Sequence, residues 1–199
     1  MTYTRISDYQ IVLGSQSPRR KELLQMLGIT FTTIQREIPE NYPQGMPAKE
    51  VAQYLSRIKA EAFDELANEK TIIITADTIV SIDTHILGKP SDATEAKKML
   101  QMLSGRKHEV ISGVTLRKGT HFQSWTVSTE VYFKMLDEAE IDYYICNYKP
   151  FDKAGSYGIQ EWIGLIGIEK INGSYFNVVG LPVKELYEAL REMSEEKNA

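Results

Sequence analysis

The run Thr71-Ile72-Ile73-Ile74-Thr75-Ala76 constrains the fold of this chain more than any other stretch. It is apolar without alternation, which is the pattern of a strand buried on both faces. Such a strand needs helices packed against either side of a sheet, and the flanking sequence supplies them. A short strand, Gln10 to Gly14, runs straight into a helix signal. Ser17 is placed as its cap, Pro18 at its first position and Gly28 at its end, with Leu23, Leu24 and Leu27 as the buried stripe. A second strand is expected over Phe31 to Gln35, followed by a proline-rich loop from Glu37 to Pro47. Pro47 then starts a long helix in which Val51, Leu55, Ile58, Ala62 and Leu66 recur at helical spacing.

Downstream, Asp77 is expected to end the apolar strand, and Ile79 to Ile82 pairs with His85 to Leu87 as a hairpin around Asp83-Thr84. A third helix carries Ala96, Met99, Leu100 and Leu103 and closes on Ser104-Gly105. Two longer segments, Glu109 to Leu116 and Phe122 to Phe133, read as an antiparallel pair with one wet face. Asp137-x-x-Glu140 has the form of a capping box opening a helix through Ile141, Tyr144 and Ile145, which Pro150 stops. Strand-like segments around Ile166 and Val178 flank the turn Asn172-Gly173. Pro182 opens a last amphipathic helix through Val183, Leu186, Tyr187 and Leu190, and Ser194 to Ala199 reads as a fraying tail. The order β-α-β-α-β-β-α-β-β-α-β-β-α implies an α/β fold, a mixed twisted sheet with flanking helices. A chain of 199 residues fits one domain or two closely joined lobes.

Composition removes several classes of function. A net charge of −4 argues against a protein that coats nucleic acid or anionic lipid. The single Cys146 precludes a disulfide framework or thiolate cluster within the chain. The longest apolar runs are too short to span a membrane, and Met1 to Tyr9 lacks a signal-peptide core. These features together read as cytoplasmic.

Four segments carry candidate chemistry. Ser15-Gln16-Ser17-Pro18-Arg19-Arg20 opens a helix, where unpaired N–H groups and the helix dipole attract anions. Arginines in a first turn oppose the dipole, a conflict that an anionic ligand removes; the competing reading is a plain Ser-Pro helix start with solvated arginines. Asp77, placed after a buried strand, sits where open α/β sheets present catalytic groups, and partial burial would raise its pKa and suit it as a base. Otherwise it simply starts a turn. Lys89 lies between Gly88 and Pro90, Lys59 beside an apolar stripe and Glu40 in the proline-rich loop; for each, a solvated side chain is the usual outcome. Asp152 to Gln160, DKAGSYGIQ, is rich in small residues that let a backbone approach a ligand, and Gln160 both donates and accepts hydrogen bonds. No Walker-type or dinucleotide-binding glycine motif and no metal-spaced His/Cys set occurs, and His85 and His121 read as surface residues.

SQSPRR at 15–20, ADTIV at 76–80, LGKP at 87–90, SGRKHEVISGV at 104–114, DKAGSYGIQ at 152–160 and KINGSYFNVVGLPV at 170–183 together resemble the Maf family of nucleoside triphosphate pyrophosphatases. The motifs stand in family order across nearly the whole chain. The resemblance implies two lobes around a cleft, similar to inosine triphosphate pyrophosphatases, within a single Maf-like domain. It implies metal-dependent hydrolysis of a nucleoside triphosphate to the monophosphate and pyrophosphate, with Mg2+, or else Mn2+ or Co2+, as cofactor. SPRR, ADT and the glutamine closing GSYGIQ look like the subgroup acting on dTTP and UTP, which limits unwanted nucleotides in the pool. Alternatives are the same chemistry on a modified purine such as 7-methyl-GTP, or a nucleotide-binding regulator of cell division without turnover, given the family's association with septum formation.

Residue by residue, the resemblance makes Asp77 the catalytic base and assigns Lys89 and Lys59 to catalysis or phosphate binding. Arg19, Thr78 and Gln160 match positions that choose the base; Ser15, Ser17 and Arg20 line the phosphate turn. Asp77 and Glu40 are the expected metal ligands. The substrate is the expected partner, with no nucleic acid and no membrane, and a homodimer by family analogy. The family's usual Ala before the phosphate turn is Gly14 here, a change too small to disturb the assignment.

Overall fold

The computed structural model describes residues 6–195. Within them, β1 is Gln10–Leu13, α1 Pro18–Met26, β2 Thr32–Thr33 and α2 Ala48–Glu61, followed by β3 Thr71–Ile82, β4 His85–Leu87 and α3 Ala93–Leu103. The second half runs β5 Lys107–Lys118, β6 His121–Phe133, α4 Glu138–Tyr148, α5 Trp162–Gly167, β7 Ile168–Asn172, α6 Tyr175–Val179 and α7 Val183–Glu195. The strands form one sheet in the order β2-β1-β3-β5-β6-β7, with β4 on β3. β1 is parallel to both β2 and β3, whereas β4 on β3 and β7 on β6 are antiparallel. The mixed α/β architecture is therefore the one the sequence implies.

Several local signals act as read. Ser17 accepts a hydrogen bond from the Arg20 amide, Pro18 opens α1, and Gly28 takes the left-handed conformation after it. Asp137 and Glu140 form the capping box of α4, and Ile82 pairs with His85 across the expected hairpin. The loop from residue 34 to 47 carries no helix or strand.

Other expectations need correction. Asp77 does not end a strand, because β3 continues through it to Ile82. β2 is only two residues long, not the run from Phe31 to Gln35. α2 stops at Glu61, so Leu66 falls in a separate 3₁₀ turn. Along β6 the alternation holds at Thr129, Val131 and Phe133, buried with half-buried residues between them, but β5 is buried on both faces from Val110 onward, so that strand lacks the expected wet face. Ile166 and Val178 lie in short helices, and the strand is Ile168–Asn172 between them. Ser194 and Glu195 end α7 as helix; the remainder of the predicted tail, 196–199, lies outside the described residues.

The chain divides into two compact units. The first takes the chain up to Asp77, then Ser112–Val127, then Gly180 onward. In it, α2 lies hard against β5 at Gly113, where a Cβ would come within 2.0 Å of the Ala52 carbonyl oxygen. Buried hydroxyls fix the same contact: Thr75 donates to the Ser56 carbonyl at 2.7 Å, and Ser56 Oγ lies 2.9 Å from Thr115 Oγ1. Arg117, buried on β5, donates to the Ala60 and Glu61 carbonyls at 3.1 and 3.2 Å, satisfying acceptors that the end of α2 leaves open. The second unit, Thr78–Ile111 and Ser128–Val179, has its own core, built on Leu100, Leu103, Val131, Phe133, Tyr144 and Ile163.

Candidate functional site

In the first unit, the turn between β1 and α1 is drawn together by its own side chains. Ser15 is buried, and its Oγ accepts from the Ser17 amide at 3.2 Å and from Arg20 Nη1 at 3.4 Å. Arg20 also donates its Nε to the Gly180 carbonyl at 2.9 Å, so the start of α1 is tied to the segment before α7. Burial pushes the Arg20 guanidinium below its ordinary pKa, while Asp77 and, more weakly, Glu40 draw it back up. Arg20 thus shares an electrostatic neighbourhood with both carboxylates and with Arg19, which is half-buried.

At Gly14 the close approach has a local cause. A Cβ there would stand 2.7 Å from the Phe63 ring and 2.9 Å from Thr75 Cγ2. The fully buried Phe63 therefore occupies the space that an alanine side chain would need.

Lys59 joins the two carboxylates. It lies in the last turn of α2, where a cation complements the helix dipole. Its ammonium donates to Glu40 at 2.8 Å and to Asp77 in a short ion pair. Asp77 is 9% exposed at its side chain and Lys59 14%, whereas Glu40 reaches out from its loop at 43%. Lys59 is thus not merely laid along the core edge, nor is Glu40 a solvated bystander. Thr75 and Asp77 both bond to α2, as alternate residues on one face of a strand should. By the same alternation, Thr78 leaves β3 on the opposite face.

In the second unit, Lys89 is exposed just beyond β4, and Gln160 is exposed at the end of the glycine-containing loop. The structure brings these two segments together, since the Gly155 amide donates to the Gly88 carbonyl at 3.0 Å. Sequence reading missed what holds this loop. Lys153 is buried, with its ammonium 2.7 Å from Asp152 and 3.0 Å from Glu161. His108 is buried too, its Nε2 2.7 Å from the Tyr157 hydroxyl. The only available signal was the crowding of polar residues into an otherwise small-residue run.

The α/β fold thus sets a basic, serine-capped helix start in the electrostatic field of a lysine-bridged carboxylate pair. The chain belongs to the Maf family: the model for the Maf-like protein matches residues 10–193. A protein named dTTP/UTP pyrophosphatase from Porphyromonas gingivalis is 50% identical over 193 residues, covering 96% of this chain and 97% of its own. One of the same name from Christiangramia forsetii is 48% identical over 188 residues, covering 94% and 96%. Among solved structures, a nucleoside-triphosphatase / dITP/XTP pyrophosphatase from Mycobacterium abscessus covers 92% of this chain and 93% of its own, at 12% identity and a TM-score of 0.43. No helix among the described residues is long and apolar enough to cross a membrane.

Proposed function

We propose that this chain is a nucleoside triphosphate pyrophosphatase that hydrolyses dTTP and UTP to the monophosphate and pyrophosphate. The observation that carries the reading is identity of about half, end to end, with proteins of that name. The lysine-bridged carboxylates beside the Arg20 turn supply groups suited to the reaction.

Water attacks the α-phosphorus, the bond to the α–β bridging oxygen breaks, and pyrophosphate leaves with that oxygen. Asp77 takes the proton of the attacking water, and Lys59 offsets charge developing on the phosphoryl oxygens. Ser15, Ser17 and Arg20 hold phosphate oxygens at the start of α1, and Lys89 binds the departing end. Uracil and thymine present an N–H between two carbonyls; Gln160 matches that edge, Arg19 donates to a carbonyl, and Thr78 joins them in choosing the base.

The family's chemistry suggests a divalent cation. Among the described residues, no cluster of three or more His, Cys, Asp or Glu side chains forms a protein-only cage. Two carboxylates meeting at one ammonium do suit magnesium, which takes one or two carboxylates and completes its octahedron with water and substrate oxygens. Asp77 and Glu40 would hold it, and it would supply positive charge to the triphosphate. Tight ligation weakens a carboxylate as a base, so the two roles compete at Asp77. A homodimeric assembly and a cytoplasmic location belong to the same proposal.

The test is a panel of nucleoside triphosphates with magnesium, read by release of pyrophosphate. Pyrophosphate from dTTP and UTP ahead of purines is expected. Preference for 7-methyl-GTP, orthophosphate as product, or binding without turnover would each refute the reading.

A further inference from the structure

Gln160 poses a physical problem for the reading above. An amide carries a donor and an acceptor of nearly the same shape, so a half-turn of its side chain exchanges one for the other. Thymine and uracil offer a carbonyl and an N–H where cytosine offers an amino group and a ring nitrogen. A glutamine free to approach from any direction reads both edges equally. Discrimination therefore needs a backbone that delivers the side chain from one fixed direction.

The residues around Gln160 meet that need. Before it, Tyr157 is 6% exposed, and its hydroxyl meets His108 Nε2 at 2.7 Å. Both rings pack on Phe133, the Tyr157 centroid at 5.0 Å and that of His108 at 5.4 Å. Burial pushes His108 down to about 4, so the imidazole is neutral near neutral pH and the contact is an uncharged hydrogen bond. Next along the chain, the Gly158 amide donates to the hydroxyl of fully buried Tyr144 at 3.0 Å. After Gln160, Glu161 accepts the Tyr144 hydroxyl proton in a short hydrogen bond and pairs with Lys153 at 3.0 Å. Tyr144, on α4, thus grips the loop on both sides of Gln160, and His108, on β5, grips it through Tyr157. Gln160 itself is exposed.

We propose that Tyr157 with His108, and Tyr144 with Glu161, are positioning residues that set nucleobase selectivity by holding the backbone on either side of Gln160. The inference rests on the reading of Gln160 as a base-recognising side chain. It separates two functions within one short motif: Gln160 makes the contact, and four buried or half-buried groups fix where that contact is made.

The experiment compares Tyr144→Phe, Tyr157→Phe, Glu161→Gln and Gln160→Ala in the full chain, each assayed on dTTP and dCTP with magnesium. Circular dichroism and thermal melting check folding. Each tyrosine variant removes one hydroxyl, and Glu161→Gln serves if either tyrosine variant fails to fold. The expected result is a fall of roughly tenfold or more in the ratio of kcat/KM for dTTP to that for dCTP. It should be accompanied by faster hydrogen exchange at the amides of residues 158–161. An unchanged ratio in the folded brace variants, with the ratio collapsing in Gln160→Ala, overturns the proposal and leaves the role of Gln160 standing. An unchanged ratio in all of them removes the role of Gln160 and the proposal with it. Activity that falls on both substrates in proportion to lost stability, at constant ratio, shows a purely structural role and also overturns it.

Discussion

The two units of the chain hold their candidate groups by different means. In the first, Lys59 draws Asp77 and Glu40 together by charge, and Arg20 lies within the field of both. In the second, the loop bearing Gln160 is held by the directed hydroxyl and ring contacts of Tyr144, Tyr157 and His108 together with the ion pairs of Lys153 to Asp152 and Glu161. Charge acts on any triphosphate whatever its base, whereas directed hydrogen bonds can tell one base edge from another. The difference suggests that the contribution of Gln160 to selectivity can be changed without touching the lysine-bridged carboxylates.

The largest expected effect comes from the charged unit. Asp77→Asn keeps the shape of the side chain and removes its capacity to accept the proton of water, so kcat should fall roughly 10²–10⁴-fold. The fold should persist by circular dichroism, and the residual activity should keep the preference for dTTP over dCTP. A fully active Asp77→Asn would remove the carboxylate as base, and an altered preference would mean that the carboxylate also takes part in choosing the base.

The next effect probes the neutral unit through stability. His108 has its pKa lowered from 6.5 to about 4 by burial, so the folded state binds a proton less readily than the unfolded chain. Above pH 6.5 the group contributes no pH dependence; between 6.5 and about 4 the unfolded chain takes up a proton that the folded protein refuses. Stability therefore drops as the pH is lowered through that window, by up to about 3 kcal/mol from this residue. Denaturant titrations of the parent and of His108→Phe should differ in slope there and run parallel above it.

The smallest effect on the ratio comes from Gly113→Ala, which should cost about 3 kcal/mol or more of stability because the added methyl meets the Ala52 backbone, which has to move. Displacing α2 also moves Lys59, so dTTP and dCTP turnover should fall together. A changed ratio between them would mean that base choice also depends on the placement of α2.

What was legible in the sequence was local. The Ser17 cap, Pro18, Gly28 and the capping box at Asp137 act over a few residues, and each operates in the structure as it reads. The misreading of Asp77 as a strand end has a physical reason. A carboxylate in an apolar run normally marks escape to water, but here an ammonium from another element accompanies it into the interior. Nothing in the spacing of Lys59 and Asp77 announces that pair. The short apolar runs at Ile166 and Val178 fit a strand or a helical turn equally well. His108 and Tyr157 meet only through the fold.

The placement of Asp77 inside a continuous β3 also bears on how this sequence can change by insertion and deletion. A group on a loop can be carried along when the loop grows or shrinks. A group inside a paired strand has no such latitude, because a slip of one residue turns every following side chain to the other face. The hydrogen-bonded alignment of Ile72, Ile73 and Ile74 with Ile11, Val12 and Leu13 is consequently part of what aims the carboxylate at Lys59. Length variation among related chains should be found before Thr71 or beyond Ile82, and not between them.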